Sequence, residues 1–392
     1  MWRLVLTLTL FSLGSEAMVT CRDNNDHEVD WYILYKAPGE KIPDPQNPPK
    51  KKYKTEIRYI YIDSTTQRVD MVPGTTNYKN LIDSSAALGN TLRPILKSVK
   101  DMPRNFGFLS YSDQPPGCSA NPKKFGHSKG VLMVEQNSYG VWLLHSTPQF
   151  PFRRDQNTFW PESGFQNAQT FICVTFHYNQ FRNIGKHLQY IRAFPFDYDI
   201  PNDFHQELIE ATKWVQANPP TTSPYLTLTS KGQQNFYSFA KQQSKDLTVG
   251  DLYFTIAKVI DSDVAVQTWG CQPERALSYC SNGNHRVYNI DIINTNTGVG
   301  RWTPSKDHSK WCVTINQNKH WTCIADVNRA ETQYERRGGA LCINNEQIRN
   351  MFLNFAELTE DCPPTTRHGF HIMDIDPDCG PSPDFSTDTL MG

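Results

Sequence analysis

Apolar residues along this chain recur with two different periods. "EIRYIYID" (56–63) and "FICVTF" (171–176) carry the dense or alternating β-branched and aromatic pattern of strands, whereas "DFHQELIEATKWVQA" (203–217) and "EQIRNMFLNF" (346–355) repeat with a helical period. The mixture predicts an α/β fold. Two stretches interrupt it. "KIPDPQNPPKKKYK" (41–54) is rich in Pro and Lys and reads as an exposed loop, and "NPPTTSPYLTLTSKGQQ" (218–234) reads as a connector between an N-terminal half, 18–217, and a C-terminal half, 235–372. Residues 373–392 carry five Asp and no Lys or Arg, the composition of an acidic tail. At the other end, Arg3, the apolar run that follows it and the small residues Ser15 and Ala17 read as a secretory signal peptide over 1–17, excluded from the fold. No later stretch holds the ~20 apolar residues of a membrane span, so stable membrane insertion is not expected.

One pattern occurs twice. Residues 127–148, "HSKGVLMVEQNSYGVWLLHSTP", and 308–329, "HSKWCVTINQNKHWTCIADVNR", both open with His-Ser-Lys and reach Gln-Asn at the same offset, with apolar runs on either side of the polar turn. Each predicts a strand, a turn and a strand, and the ungapped register predicts an internal duplication with a site on a pseudo-twofold axis. The same register places His145 over Asp326, with Asn328 and Arg329 just beyond. Positions i and i+2 of a strand share a face, so His127 with Lys129 and His308 with Lys310 are expected to point into one cavity. Two imidazoles and two ammonium groups can transfer a phosphoryl group without a metal or cofactor. One neutral imidazole attacks phosphorus, the other protonates the leaving oxygen, and the lysines and the Asn328 amide stabilise the equatorial oxygens. The competing interpretation is that both triplets cap strands at the surface.

Ten cysteines behind a signal peptide are most economically disulfide partners; no CxxC pair occurs, which argues against structural zinc. Cys21 with Cys173, and local closures around Cys271, Cys280, Cys312 and Cys323, are pairings the sequence allows. There is no Asn-x-Ser/Thr acceptor for an N-linked glycan. The formal charge of −1 at pH 7 is weak for a protein that meets a polyanion, but protonation of all 11 histidines would carry it to +10, so affinity for a polyanion is expected to rise on acidification. Lys50, Lys51, Lys52, Arg329, Arg336 and Arg337 are the candidate phosphate contacts. No Walker loop, dinucleotide fingerprint or H-E-x-x-H occurs, which removes the common ATPase and metalloprotease classes.

At these residues the chain resembles the deoxyribonuclease II family, related to the phospholipase D superfamily with its paired H-x-K signatures. "VDWYILYK" (29–36), "HSKGVL" (127–132), "WLLHSTPQFP" (142–151), "FICVTF" (171–176), "HSKWC" (308–312), "WTCIADVNR" (321–329) and "RGGALC" (337–342) look like the family, in its order. The resemblance implies a pseudodimer of two phospholipase D-like sheets within one chain, with the active site at their interface. It also implies cleavage of double-stranded DNA at acidic pH without a divalent metal, leaving 3′-phosphate and 5′-hydroxyl ends. Carried over by position, His127, Lys129, His308 and Lys310 are the catalytic residues, with His145, Asp326 and Asn328 in support. In the wider superfamily an acidic residue follows the H-x-K; here Glu135 stands near that place in the first half and Asn316 in the second. The implied location is the secretory pathway, in the lysosome or, given the absent glycan acceptors, outside the cell. The alternative function is a secreted, non-catalytic protein on the same scaffold that binds DNA or another partner.

Overall fold

The structure is a computed structural model that describes residues 18–43, 53–65, 79–280 and 285–362. The expected signal peptide, Lys50, Lys51, Lys52 and the acidic tail lie outside the described residues.

Two large sheets carry the molecule. The N-terminal sheet is built from β1 (Trp31–Lys36), β2 (Tyr59–Asp63), β3 (Phe106–Ser112), β4 (Lys129–Glu135), β5 (Tyr139–His145), β6 (Gln169–His177) and β7 (Pro195–Asp199), in the spatial order β7-β3-β4-β5-β6-β1-β2 and antiparallel throughout. The C-terminal sheet has nine strands: β8 (Tyr225–Thr229), β9 (Asn235–Ala240), β10 (Val264–Gln267), β11 (Val287–Asn294), β12 (Arg301–Trp302), β13 (Trp311–Thr314), β14 (Trp321–Ala325), β15 (Gly339–Asn344) and β16 (Ala356–Thr359). Their order is β8-β9-β15-β14-β13-β10-β11-β12, with β16 also paired to β11. The 218–234 segment is therefore more than a connector, because β8 lies within it as an edge strand paired to β9.

Most strands are buried on both faces, which is why their sequences read as continuous apolar runs. The period of two survives in what each residue touches. On β1, Trp31, Ile33 and Tyr35 enter a core shared by both sheets, while Tyr32 and Leu34 enter an outer core under helix α1 (Ala87–Leu92). The shared core takes Leu132 and Trp142 from one sheet, Trp311 and Leu341 from the other, and the apolar sides of α2 (Phe181–Tyr190) and Glu346–Phe355. Two further helices, α3 (Gln206–Thr212) and α4 (Leu252–Ile260), lie on either side of the C-terminal edge strands in sequence, and α4 closes the outer core of the second sheet. The α/β class is as expected, with the two sheets joined through one core.

The disulfides differ in part from the sequence expectation. Cys21 is bonded to Cys173, but Cys280 closes a long loop to Cys362, Cys323 pairs with Cys342 on the neighbouring strand, and Cys312 stays a buried thiol. Cys118 is an exposed thiol. Among the described residues no helix is long and apolar enough to cross a membrane.

Candidate active site

Both His-Ser-Lys segments enter their sheets in the same way. Lys129 opens β4, Lys310 immediately precedes β13, and each histidine sits two residues earlier, still in the entering loop. Each entry is sewn to the opposite half: His127 N–H donates to the Arg337 carbonyl at 2.9 Å, and His308 N–H donates to the Ala168 carbonyl at 3.0 Å. Gly126 is needed at the first crossing, because a Cβ there would run into the carbonyls of Ile191 and Arg337. The correspondence continues one strand further. Ser146 N–H donates to Thr170 O at 3.1 Å as Asp326 N–H does to Gly339 O at 2.9 Å, and Thr170 N–H reaches Ser146 Oγ at 3.0 Å as Gly339 N–H reaches Asp326 Oδ2 at 3.2 Å.

That correspondence corrects the sequence register. Gly130 pairs with Leu144 but Trp311 pairs with Ile324, so the two hairpins differ by one residue. Ser146, not His145, stands where Asp326 stands.

Around His127 the site is ionic. Lys129 Nζ donates to Asp113 Oδ1 at 2.6 Å, Arg336 Nη2 donates to Asp113 Oδ2 at 3.3 Å, and His127 Nε2 lies 3.9 Å from the same oxygen. Burial alone would raise the Asp113 carboxyl, but His127, Lys129 and Arg336 hold it well below the usual carboxylate range. Asp113 therefore supplies the acidic partner. Glu135 lies at the far end of β4, accepting from Asn105 Nδ2 at 2.9 Å, and the equivalent region of Asn316 is likewise past the far end of β13. His127 Nδ1 is 2.6 Å from the Asp326 carbonyl oxygen. A carbonyl only accepts, so this contact fixes the proton on Nδ1 and leaves the Nε2 lone pair free.

Around His308 the site is aromatic. Trp269 lies two residues beyond Gln267, which pairs with Trp311, much as Asp113 lies one residue beyond Ser112, which pairs with Lys129, and the Trp269 ring lies 4.8 Å from the His308 ring. Lys310 Nζ donates to the His308 carbonyl at 2.7 Å. Burial first, then the charges of Lys310, Lys129 and Lys36, depress His308 to about 3; burial and the nearby Lys129 depress Lys310 to about 7. Burial and the surrounding cations likewise hold His127 well below the ordinary value, against the opposing pull of Asp113. Lys310 acts on His127, and Lys129 acts on both His308 and Lys310, so the two triplets share one electrostatic site.

The supporting residues divide. Asp326 is buried and pushed up to about 8 by desolvation, so near neutrality it is largely a carboxylic acid beneath His127. His145 is buried between Phe150 and Phe171, and burial and Lys129 keep it neutral. Asn328 has its amide occupied: Nδ2 donates to Gln272 Oε1 at 2.9 Å and Oδ1 accepts from Trp269 N–H at 3.2 Å, so it braces the Trp269 wall. Of the three candidate arginines, Arg336 alone reaches the site. Arg329 is buried, with Nε 2.9 Å from Asp251 Oδ2 and Nη1 donating to Leu277 O and Asn289 Oδ1. Arg337 is also buried, donating to Lys241 O, Gln242 Oε1 and Asn218 Oδ1. Both serve the fold rather than a phosphate. The charge expectation shrinks as well: burial depresses His127, His145, His187 and His308, so these four do not add to the positive charge on mild acidification.

Residues 20–362 match the profile described as deoxyribonuclease II. The chain belongs to the deoxyribonuclease II family. It is 32% identical to human deoxyribonuclease-2-beta, over 91% of this chain and 96% of that protein. It is 32% identical to plancitoxin-1 of Acanthaster planci over the same shares, and 31% identical to deoxyribonuclease-2-alpha of Sus scrofa over 89% and 92%. The yeast tyrosyl-DNA phosphodiesterase structure aligns over 60% of this chain and 69% of its own, at 10% identity and a TM-score of 0.30. Asp113 and Trp269 are site residues that sequence reasoning missed; Asp113 lies one residue past the strand that pairs with Lys129, and Trp269 lies two residues past β10, which pairs with β13.

Proposed function

We propose that this protein is an acid endodeoxyribonuclease that hydrolyses DNA phosphodiester bonds through a phosphohistidine. One observation carries the reading. Two His-Ser-Lys triplets from opposite halves of the chain converge on a shared charged site, and the first histidine is held as the tautomer with a free Nε2. His127 Nε2 attacks phosphorus as the P–O5′ bond breaks, and the His308 imidazolium gives its proton to O5′. A 5′-hydroxyl strand leaves and the 3′-phosphoryl group stays on His127. His308, now neutral, takes a proton from water, which attacks phosphorus and displaces His127, releasing a 3′-phosphate end. Lys129, oriented by Asp113, and Lys310 stabilise the charge on the equatorial oxygens. The reading needs no metal or cofactor. Membership of the family supports DNA as substrate, double-stranded included, and an acidic compartment of the secretory pathway such as the lysosome suits a site whose second histidine must be protonated.

The test is cleavage of supercoiled plasmid at pH 5 and pH 7.5 with EDTA throughout, with analysis of the product ends. The expected result is nicking at pH 5 with 3′-phosphate ends. A folded protein that leaves plasmid intact would overturn the enzyme reading in favour of a binding protein on this scaffold.

A further inference from the structure

Helix α3 ends in an unusual way. Trp214 has φ +61°, the left-handed conformation that glycine normally takes after a helix, while its N–H and that of Val215 close the helix on the carbonyls of Ala211 and Glu210. A bulky residue held there carries strain that glycine would avoid, and its ring placement is what that strain secures. The indole stacks on Phe194 at 5.7 Å and 27° and meets Phe125 edge-on at 5.8 Å and 78°; Phe125 and Phe194 touch each other at 4.8 Å. With 53% of its surface exposed, the indole has a free face.

This cluster lies at the active-site end of the N-terminal sheet. Phe125 is two residues before His127. Phe194 accepts a hydrogen bond from Ser112 N–H and immediately precedes β7, whose first residue, Pro195, pairs with Tyr111 at the same end of β3 where Ser112 pairs with Lys129. Strand β7 is two strands from β4, a lateral distance of about 10 Å. That is about three steps of a stacked DNA strand. Lys123, Lys124 and Lys213 are exposed beside the ring in sequence, and Gln216 Nε2 donates to the Lys124 carbonyl at 3.0 Å, tying the loop of one to the helix end of the other. Glu210, the nearest acidic side chain on α3, is engaged by Gln189 and Gln206.

We propose that Trp214 is a stacking platform for an unpaired nucleobase of the DNA substrate, two or three nucleotides from the scissile phosphate, with Lys123, Lys124 and Lys213 meeting the adjoining backbone phosphates. An aromatic face among lysines is the combination that holds single-stranded nucleic acid without sequence preference. The inference rests on the nuclease reading and specifies which part of the substrate the rim engages.

The test compares the full chain with its Trp214→Ala and Trp214→Gly variants at pH 5 in EDTA, on a short single-stranded oligonucleotide and on bis(p-nitrophenyl) phosphate, which is too small to reach the rim. The expected result is a rise in KM of about tenfold on the oligonucleotide in both variants, with unchanged kinetics on the small diester. The glycine variant adopts the left-handed conformation without strain, so it separates loss of the ring from loss of the fold. An unchanged KM on the oligonucleotide, or an equal loss on both substrates, would overturn the platform. If the wild type cleaves neither substrate, the nuclease reading fails by itself. Fluorescence anisotropy with the labelled oligonucleotide then still decides the platform, which is overturned if wild type and variants bind equally tightly.

Discussion

The surroundings of His127 and of His308 are built on the same frame and filled differently. Each histidine enters its sheet through a backbone hydrogen bond to the other half, and each is followed two residues later by a lysine at the entrance of a strand. Past that point the first histidine faces the Asp113 carboxylate, which Lys129 and Arg336 also hold, whereas the second faces the Trp269 indole. Beneath the first lies Asp326, whose counterpart in the second half is Ser146. Two copies of one motif therefore set their histidines in different surroundings. In the proposed mechanism the carboxylate and the fixed Nδ1–H orient His127 as the nucleophile, while His308, with cations and an apolar wall around it, gives up a proton readily.

The largest effect that could break this division is on the histidines themselves. His127→Ala should abolish turnover, a loss of about 10⁴-fold or more, on DNA and on bis(p-nitrophenyl) phosphate alike, because the attacking atom is gone. His308→Ala should lose about 10²- to 10⁴-fold on DNA yet keep a first burst of p-nitrophenol from the chromogenic diester, whose leaving group needs no proton. Equal behaviour of the two variants on the two substrates would show that the roles are not divided. A burst in the His127 variant would reverse them.

Next in size is Asp113→Asn. The change leaves Lys129 buried beside a neutral amide, and breaking a buried pair in this way costs about 3–5 kcal/mol of stability. Urea unfolding at pH 5 should show a loss of that order. In the fraction that remains folded, turnover should fall by about tenfold or more, because Lys129 and the ring of His127 lose their common partner. The matched change on the other side, Trp269→Phe, keeps a ring against His308 and should alter either quantity by less than about threefold. Comparable losses from both would mean that the two environments do equivalent work.

Asp113 shows where sequence reasoning stops. The His-Ser-Lys triplets declare themselves because histidine and lysine stand two residues apart in sequence and the strands that follow them are apolar runs. The acidic partner sits 14 residues before His127, at the end of a neighbouring strand, and only the antiparallel ladder of β3 and β4 brings it to Lys129. The same limit explains the misplaced register of His145. The polar turns of the two hairpins align in sequence, but the ladders that flank them differ by one residue, and a one-residue slip exchanges the side chain on every face. Arg329 and Arg337 read as phosphate contacts by charge alone; their burial against Asp251 and against backbone carbonyls is a tertiary fact.

A pH profile separates Lys310 from His308. In the free protein His308 titrates at about 3, so above that pH the protonated general acid falls by about tenfold per pH unit and kcat/KM should decline with a slope of one. Lys310 titrates at about 7. Below that value it is cationic and can stabilise the phosphoryl oxygens; above it the ammonium is lost, and the decline should steepen to a slope of two. Lys310→Arg keeps the charge across this range, since guanidinium is protonated up to ~12. The arginine variant should show the first slope without the second break, a difference from wild type of about tenfold at pH 8 after both profiles are scaled at pH 5. Bound phosphodiester brings a negative charge beside His308 and Lys310 and should raise both, so the kcat profile should break at higher pH than the kcat/KM profile. If the break near pH 7 persists in the arginine variant, another group controls the alkaline side. The raised carboxyl of Asp326, at about 8 within reach of the Lys129 charge, is then the group to replace.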